Sequence, residues 1–338
     1  MNLLKKLYYN SCSLLPLPLL QKISPATTLL PYHHTVSDKV LPHISELYAY
    51  KNVKQFTEDL DFLLKYYKPV YPEVLLDCIN TQNRLPEKSF LLTFDDGFRE
   101  VFDIIAPILE AKAVPAIFFI NPAFIDNKQL FFRSKASLLI HELKKDPQPA
   151  MLSACAAHLQ LKDPTLENVV SAIKQISQSK SFILDNIAGN INFSYADYLQ
   201  QQQPFLRFEQ LQQLQQRGFT IGAHSWDHPY YQQLNEQQQL DQTLHSCAYV
   251  RDKLHAEHNF FSFPYSDQSL PQQLFDKLVL TDVDLFFGIQ NQKDELHNKM
   301  VHRFNAERPD ISLQKQLKGM LTFMSVQQFR SKNKVHRF

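Results

Sequence analysis

Short apolar runs recur along the chain and alternate with amphipathic stretches. The runs at 27–32, 89–94, 116–120, 219–223, 260–263, 285–289 and 299–304 are rich in β-formers and read as buried strands. Helical periodicity fills most of the gaps. Residues 53–66 place Phe56, Leu60, Leu63 and Leu64 on one face, and 72–78 opens on Pro72 at a favoured first-turn position. Residues 98–111 turn Phe102, Ile105 and Leu109 inward, with a kink expected at Pro107. Arg217-Gly218 ends a helix over 208–216, and Ser269-Leu270-Pro271 starts another. Asn235 caps a long helix whose apolar stripe is Leu240, Leu244, Cys247, Val250 and Leu254, which makes the glutamines at 237–239 a solvated face.

The rhythm breaks at 126–204. That stretch is helical throughout, with Pro164 marking one helix start, and no strand pattern stands out. It reads as a helical insertion, either a lid or interaction subdomain or a stabilising embellishment. The expected organisation is an N-terminal arm (1–26), a barrel formed by 27–125 and 205–308, the insertion (126–204), and an amphipathic, then basic, C-terminal tail (309–338). Strands alternating with helices, with polar clusters at strand ends, fit an α/β chain folded as a (β/α) barrel, whose active site lies at the strands' C-terminal ends.

Composition narrows the function classes. Lys and Arg number 35 against 34 Asp and Glu, so no overall field favours nucleic acid or an acidic polymer. The hydrophobic fraction of 44% supports a sizeable core. Cys12, Cys78, Cys155 and Cys247 are widely spaced and read as free thiols of a reducing compartment. Lys5 and Lys6 precede a leucine-rich run, but two prolines interrupt it and no small-x-small cleavage site follows. A cytoplasmic location is therefore expected, with peripheral membrane contact through the basic tail possible and export as the alternative.

Chemistry concentrates where the apolar runs stop. Ser89-Phe90-Leu91-Leu92-Thr93-Phe94 ends on Asp95-Asp96-Gly97, and an unpaired buried carboxylate is too costly to sit there without a partner. The run 219–223 ends on His224-Ser225-Trp226-Asp227-His228, and two histidines at this spacing can point the same way. Two imidazoles and one carboxylate form an open zinc site, and the second aspartate is left for proton transfer. His33 and His34 follow the first strand. Each reads either as a pocket wall or as a hydrogen-bonded strand end, and neither is proposed as a ligand.

Thr93-Phe94-Asp95-Asp96-Gly97, His224-Ser225-Trp226-Asp227-His228 and Phe263-Pro264-Tyr265 resemble, in this order, the first three motifs of the polysaccharide deacetylases with the NodB-homology domain (carbohydrate esterase family four). Tyr32-His33-His34-Thr35-Val36 is similar to an early strand of a subset of them. The resemblance covers 27–123 and 205–305 and implies an irregular barrel of fewer than eight strands. It implies a divalent metal, zinc by preference, held by Asp96, His224 and His228. Asp95 becomes the general base and the Tyr265 backbone N–H an oxyanion donor. A histidine after a late strand serves as acid, here His302 in Met300-Val301-His302, with His297 as competitor. The family's third motif usually opens on an arginine that steadies the base. Ser262 stands there in this chain, and Arg303 is a substitute that only the fold can test.

The expected activity is metal-dependent removal of N-acetyl groups from an amino-sugar glycan or glycolipid precursor. An O-acetyl esterase on the same scaffold and an inactive, metal-containing carbohydrate-binding relative are the alternatives.

Overall fold

The computed structural model describes residues 3–26, 28–295, 297–330, 332–335 and 337. Thr27, where the first predicted strand begins, and Met1, Asn2, Ser331, His336 and Phe338 of the predicted terminal segments lie outside the described residues. The chain forms two compact units. One comprises 1–38, 50–122 and 208–338, the other 39–49 and 123–207.

The first unit carries every described strand: β1 (Thr28–Leu29), β2 (Pro31–His33), β3 (Lys68–Pro69), β4 (Ser89–Phe90), β5 (Leu92–Phe94), β6 (Ala116–Ile120), β7 (Thr220–Ala223), β8 (Phe260–Ser262), β9 (Leu285–Gly288), β10 (Met300–His302) and β11 (Phe304–Asn305). A small sheet has the order β1-β4-β3, and the main sheet runs β10-β9-β8-β7-β6-β5-β2-β11. All pairings are parallel. The main sheet's two end strands are consecutive pieces of one extended stretch, parted only by Arg303. β10 pairs with β9, while β11 pairs with β2. One stretch therefore joins both edges, and the expected (β/α) barrel is nearly closed, with eight strands in its main sheet where fewer than eight were expected because that stretch supplies two of them.

Strands covered on both faces should be apolar throughout, and all of Ala116–Ile120 is buried. Leu30, Leu91, Ile117, Phe119, Phe260, Leu285 and Phe287 pack into one cluster. Gly222 makes room for it, since a Cβ there would meet the Phe119 ring at 2.6 Å.

The predicted strand 89–94 divides at Leu91 between the two sheets, and 27–32 divides at Leu30. Lys68–Pro69 is too short and polar to show as a strand in the pattern. The kink at Pro107 takes the form of a π-helical turn, Val101–Ile105, leading into the helix Ala106–Ala111, and the Ala106 N–H bonds back to the Val101 carbonyl. Helix Glu236–Leu254 does start at an Asn235 cap, but its buried side includes Gln239, Thr243 and Ser246. These polar groups are satisfied there. Gln239 Nε2 donates to the Tyr231 carbonyl (2.6 Å), and the Tyr231 and Thr243 hydroxyls pair at 2.9 Å. Gln239 is thus not on the solvated face.

The second unit carries helices and none of the described strands; its helices include Phe132–Lys145, Pro149–Leu159, Leu166–Gln175, Phe182–Asn190 and Tyr195–Gln202. Its core includes Leu139, Leu143, Val169, Ile173, Leu184 and Ile187. Ser137 donates to the Pro42 carbonyl (2.7 Å) and His43 Nδ1 meets the Tyr198 hydroxyl (2.9 Å), which ties 39–49 to the helices.

Candidate metal centre

Because the main sheet is parallel, its strands deliver their following residues to one end of the barrel. Asp95 and Asp96 follow β5, Asn121 follows β6, His224 to His228 follow β7, and Phe263 to Tyr265 follow β8. His34 follows β2.

Asp96, His224 and His228 are buried and present ligand atoms within 4.8 Å of one another. Asp96 Oδ1 stands 3.4 Å from His224 Nε2 and 3.2 Å from His228 Nε2. His224 is oriented from behind. Its Nδ1 lies 2.8 Å from the Ser262 carbonyl, which can only accept, so Nδ1 carries a proton and the ring turns Nε2 toward Asp96. Burial pushes the His228 pKa below its ordinary value despite the neighbouring Asp96, which favours the neutral, ligating imidazole. Burial alone would raise the Asp96 pKa, but the two histidines outweigh it and hold the carboxyl well below its ordinary value. Asp96 Oδ1 is buried and accepts no hydrogen bond. A buried carboxylate oxygen that accepts no hydrogen bond, converging with two imidazole Nε2 atoms, is the donor set of a divalent cation.

The loop that carries the histidines is clamped on several sides. Asn121 Nδ2 donates to the His224 carbonyl and, at 3.1 Å, to that of Ser225. Ser225 Oγ accepts the His228 N–H (3.2 Å). Gln242 Oε1 accepts the Trp226 N–H (2.9 Å), its Nε2 donates to Asp227 (2.8 Å), and Trp226 stacks on His245 with centroids 4.3 Å apart. Asp227 therefore orients the loop. Strain gathers here too: Asp96 (φ 74°), Ser225 (φ 65°), His228 (φ 59°) and Tyr265 (φ 57°) are left-handed without being glycine. Each such residue costs about 1–3 kcal/mol, which the surrounding bonds must offset.

Asp95 points to a different partner. The Arg303 guanidinium donates to both its oxygens, Nη1 to Oδ1 at 2.7 Å and Nη2 to Oδ2 at 2.8 Å. Arg303 also donates to Thr93 Oγ1 (2.8 Å) and Ser262 Oγ (2.5 Å). It is fully buried over the rings of Tyr32 (5.0 Å) and Phe119 (5.3 Å). Burial would raise the Asp95 pKa, but Arg303 and then His224 overcome it and keep it below the ordinary value. Arg303 thus reaches both Asp95 and Ser262 Oγ from the seam between β10 and β11.

The two histidines after β2 separate. His33 is a core residue, stacked on Phe94 (5.5 Å) and edge-on to Phe56 (5.4 Å); burial and then Lys51 hold its pKa well below the ordinary value. The His34 side chain is 21% exposed, and its Nδ1 lies 2.7 Å from Glu307. Glu307 also accepts the N–H groups of His34 (3.0 Å) and Thr35 (2.8 Å). Burial lowers the His34 pKa, but Glu307, Asp96 and Asp95 more than reverse this and raise it to about 9.

His302, expected as the acid, has other surroundings. Its side chain is wholly buried, with Nε2 3.2 Å from Glu295 and Nδ1 3.8 Å from Asp267, and Arg337 donates to both carboxylates. A ring walled in by two carboxylates and an arginine presents no face to substrate. His297 pairs with Asp276 at 3.2 Å. Tyr265 lies beside His228, its ring 4.5 Å from the imidazole and stacked on Tyr230 at 3.8 Å.

Sequence reading missed the Glu307–His34 pair. Its one signal was the similarity of the His33-His34 strand to part of the family.

The fold has close counterparts among solved structures. Streptococcus pyogenes deacetylase PplD in complex with acetate aligns with a TM-score of 0.54 at 14% identity, covering 88% of this chain and 99% of that one. IcaB from Ammonifex degensii aligns with a TM-score of 0.53 at 17% identity, covering 88% and 98%. BC0361, a polysaccharide deacetylase from Bacillus cereus, aligns with a TM-score of 0.53 at 8% identity, covering 87% and 69%. At these identities the likeness establishes the fold. No curated protein matches the sequence. A sequence profile described as polysaccharide deacetylase matches residues 82–273, more than half of the chain, and spans both the aspartate pair and the histidine loop. The chain belongs to the polysaccharide deacetylase family, hydrolases of non-peptide carbon–nitrogen bonds.

Proposed function

We propose that this deacetylase removes N-acetyl groups from an amino-sugar glycan or glycolipid, using a divalent metal, zinc by preference, held by Asp96, His224 and His228. The observation that carries the reading is the buried Asp96 Oδ1, which accepts no hydrogen bond and faces both Nε2 atoms. A divalent cation held by these three residues would supply Lewis-acid polarisation of the acetyl carbonyl and would lower the pKa of a water.

The other roles fall to the chain's own groups. Asp95 takes the proton of the attacking water, and Arg303 keeps its carboxylate ionised and aimed. The backbone N–H of Tyr265, in its left-handed conformation beside His228, donates to the developing oxyanion. His34 protonates the leaving amine. It is partly exposed, and it carries a proton at neutral pH because Glu307 holds its Nδ1–H. This role moves from His302, whose ring is closed in by Asp267 and Glu295.

The test pairs metal content with amine release from N-acetylglucosamine oligomers and lipid-linked acetamido sugars, on wild type and Asp95→Asn. Metal in both proteins with amine from wild type alone is expected. Absence of metal after zinc or cobalt reconstitution refutes the reading. Acetate released from acetyl esters but not acetamides replaces it with an esterase.

A further inference from the structure

Charge is segregated along this chain. Residues 1–37 and 311–338 hold nine Lys and Arg and no Asp or Glu, whereas the whole sequence is near balance at +1. The remaining middle of the chain is therefore net acidic.

The fold brings these two ends together. Helix Leu3–Ser13 lies along helix Leu313–Phe329 within the barrel unit. Gly319 permits the close approach, because a Cβ there would meet the Tyr9 ring at 2.5 Å. The Tyr8 hydroxyl donates to the Gly319 carbonyl (2.8 Å), and Lys318 Nζ donates to the Ser13 carbonyl (2.8 Å).

Both helices expose large apolar side chains. Leu4 is 77% exposed, Leu7 54%, Phe323 46% and Phe329 92%. Leu4, Tyr8 and Phe323 line a groove of about 380 Å³. Scattered exposed leucines need no explanation, but a groove that joins Leu4, Tyr8, Met320 and Phe323 across two adjoining helices does. Lys5, Lys6, Lys315, Arg330 and Lys332 belong to the same two segments and are exposed.

We propose that this two-helix face docks the protein on an anionic phospholipid surface, lying in the plane of the interface. Apolar side chains enter the acyl boundary, while lysine and arginine stems reach the headgroups. The charge pattern selects this occupant. The exposed cations Lys5, Lys6, Lys315, Arg330 and Lys332, in segments that hold no Asp or Glu, complement an anionic leaflet. A second copy would set two cationic faces against each other. No described helix is long and apolar enough to cross a membrane, so the face lies on the bilayer. Docking is independent of the metal chemistry and stands or falls separately.

Flotation with phosphatidylcholine vesicles, with and without phosphatidylglycerol, tests it at about 0.1 M salt. The protein should float only with phosphatidylglycerol. Lys5→Glu with Lys6→Glu should weaken binding by about fivefold or more per charge. Leu4→Ser with Phe323→Ser should weaken it further, while circular dichroism and thermal midpoint stay at wild-type values. No flotation with phosphatidylglycerol overturns the proposal, and so does equal flotation on both vesicles. A solution dimer that Phe323→Ser dissolves also overturns it, assigning the face to a second copy.

Discussion

Arg303 grips Asp95 with two parallel hydrogen bonds of 2.7 and 2.8 Å across 208 residues of sequence. The pair is wholly buried, so each partner depends on the other. Replacing Arg303 by Met should cost about 3–5 kcal/mol of stability, because it strands a buried carboxylate. It should also raise the Asp95 pKa and move the acidic limb of the rate profile to higher pH. The sign follows from the depressed folded pKa. The pair's stabilisation is present above the unfolded value of about 3.9 and is lost as pH falls through the lower folded value. Adding Ser262→Arg to Arg303→Met should restore part of the activity, since Ser262 Oγ already lies 2.5 Å from Arg303 Nη2. Rate profiles of the single and double variants check this. An unmoved acidic limb in Arg303→Met would deny Arg303 its role.

The donor set around Asp96 predicts a coupling between metal and stability. Zinc in thousandfold excess over its Kd stabilises a folded site by about 4 kcal/mol. The thermal midpoint of the wild type should therefore rise when zinc is added to stripped protein and fall again with chelator. In Asp96→Asn and His228→Gln the midpoint should no longer respond, and metal content should drop to background. Calorimetry beside elemental analysis settles the matter. A zinc-dependent shift that survives in Asp96→Asn would place the metal elsewhere.

Legibility in the sequence followed the range of each interaction. The barrel was readable because each buried strand is an apolar run of its own, as at 116–120. Asp95, Asp96, His224 and His228 stood out because they are polar groups where such runs stop. Arg303 could be suspected but not placed, since only barrel closure through β10 and β11 carries it to Asp95. Glu307 gave no signal, because its partners His34 and Thr35 lie on the opposite side of the closing seam. Gln239 misled for the converse reason. Its burial is set by Tyr231, a contact that helical periodicity does not encode.

Glu307 sets the protonation of His34, and this carries a pH signature. In the metal-free protein the imidazole should titrate near pH 9. Because the folded pKa is raised, the stabilisation from this pair is fully present below the unfolded value of about 6.5 and is lost as pH rises through about 9. Glu307→Gln should lower the folded pKa and flatten that loss. In turnover the same variant should bring the basic limb to lower pH, and His34→Asn should lower kcat by about 10²–10⁴ with metal retained. Histidine NMR titration and rate profiles of both variants read this out. Full turnover in His34→Asn would return the proton donor to another residue.

A further buried charge cluster surrounds His302. Arg337 donates to Asp267 at 3.0 Å and to Glu295, and its guanidinium covers the Phe275 ring at 3.6 Å. Burial would raise the Asp267 pKa, yet His302, Gln290, the Ile289 N–H and Arg337 together hold it below its ordinary value. Two carboxylates in one buried pocket tolerate each other only while these cations and donors stay in place. Arg337→Ala should therefore cost about 3–5 kcal/mol, with Arg337→Lys recovering only part because it lacks the planar fork. Metal content should not change, since neither carboxylate belongs to the Asp96–His224–His228 cluster. Urea unfolding with metal analysis tests both halves. Wild-type stability in Arg337→Ala would mean that the pocket relaxes by protonating a carboxylate, and a loss of metal would mean that the seam between β10 and β11 transmits the damage to Asp95 and Asp96.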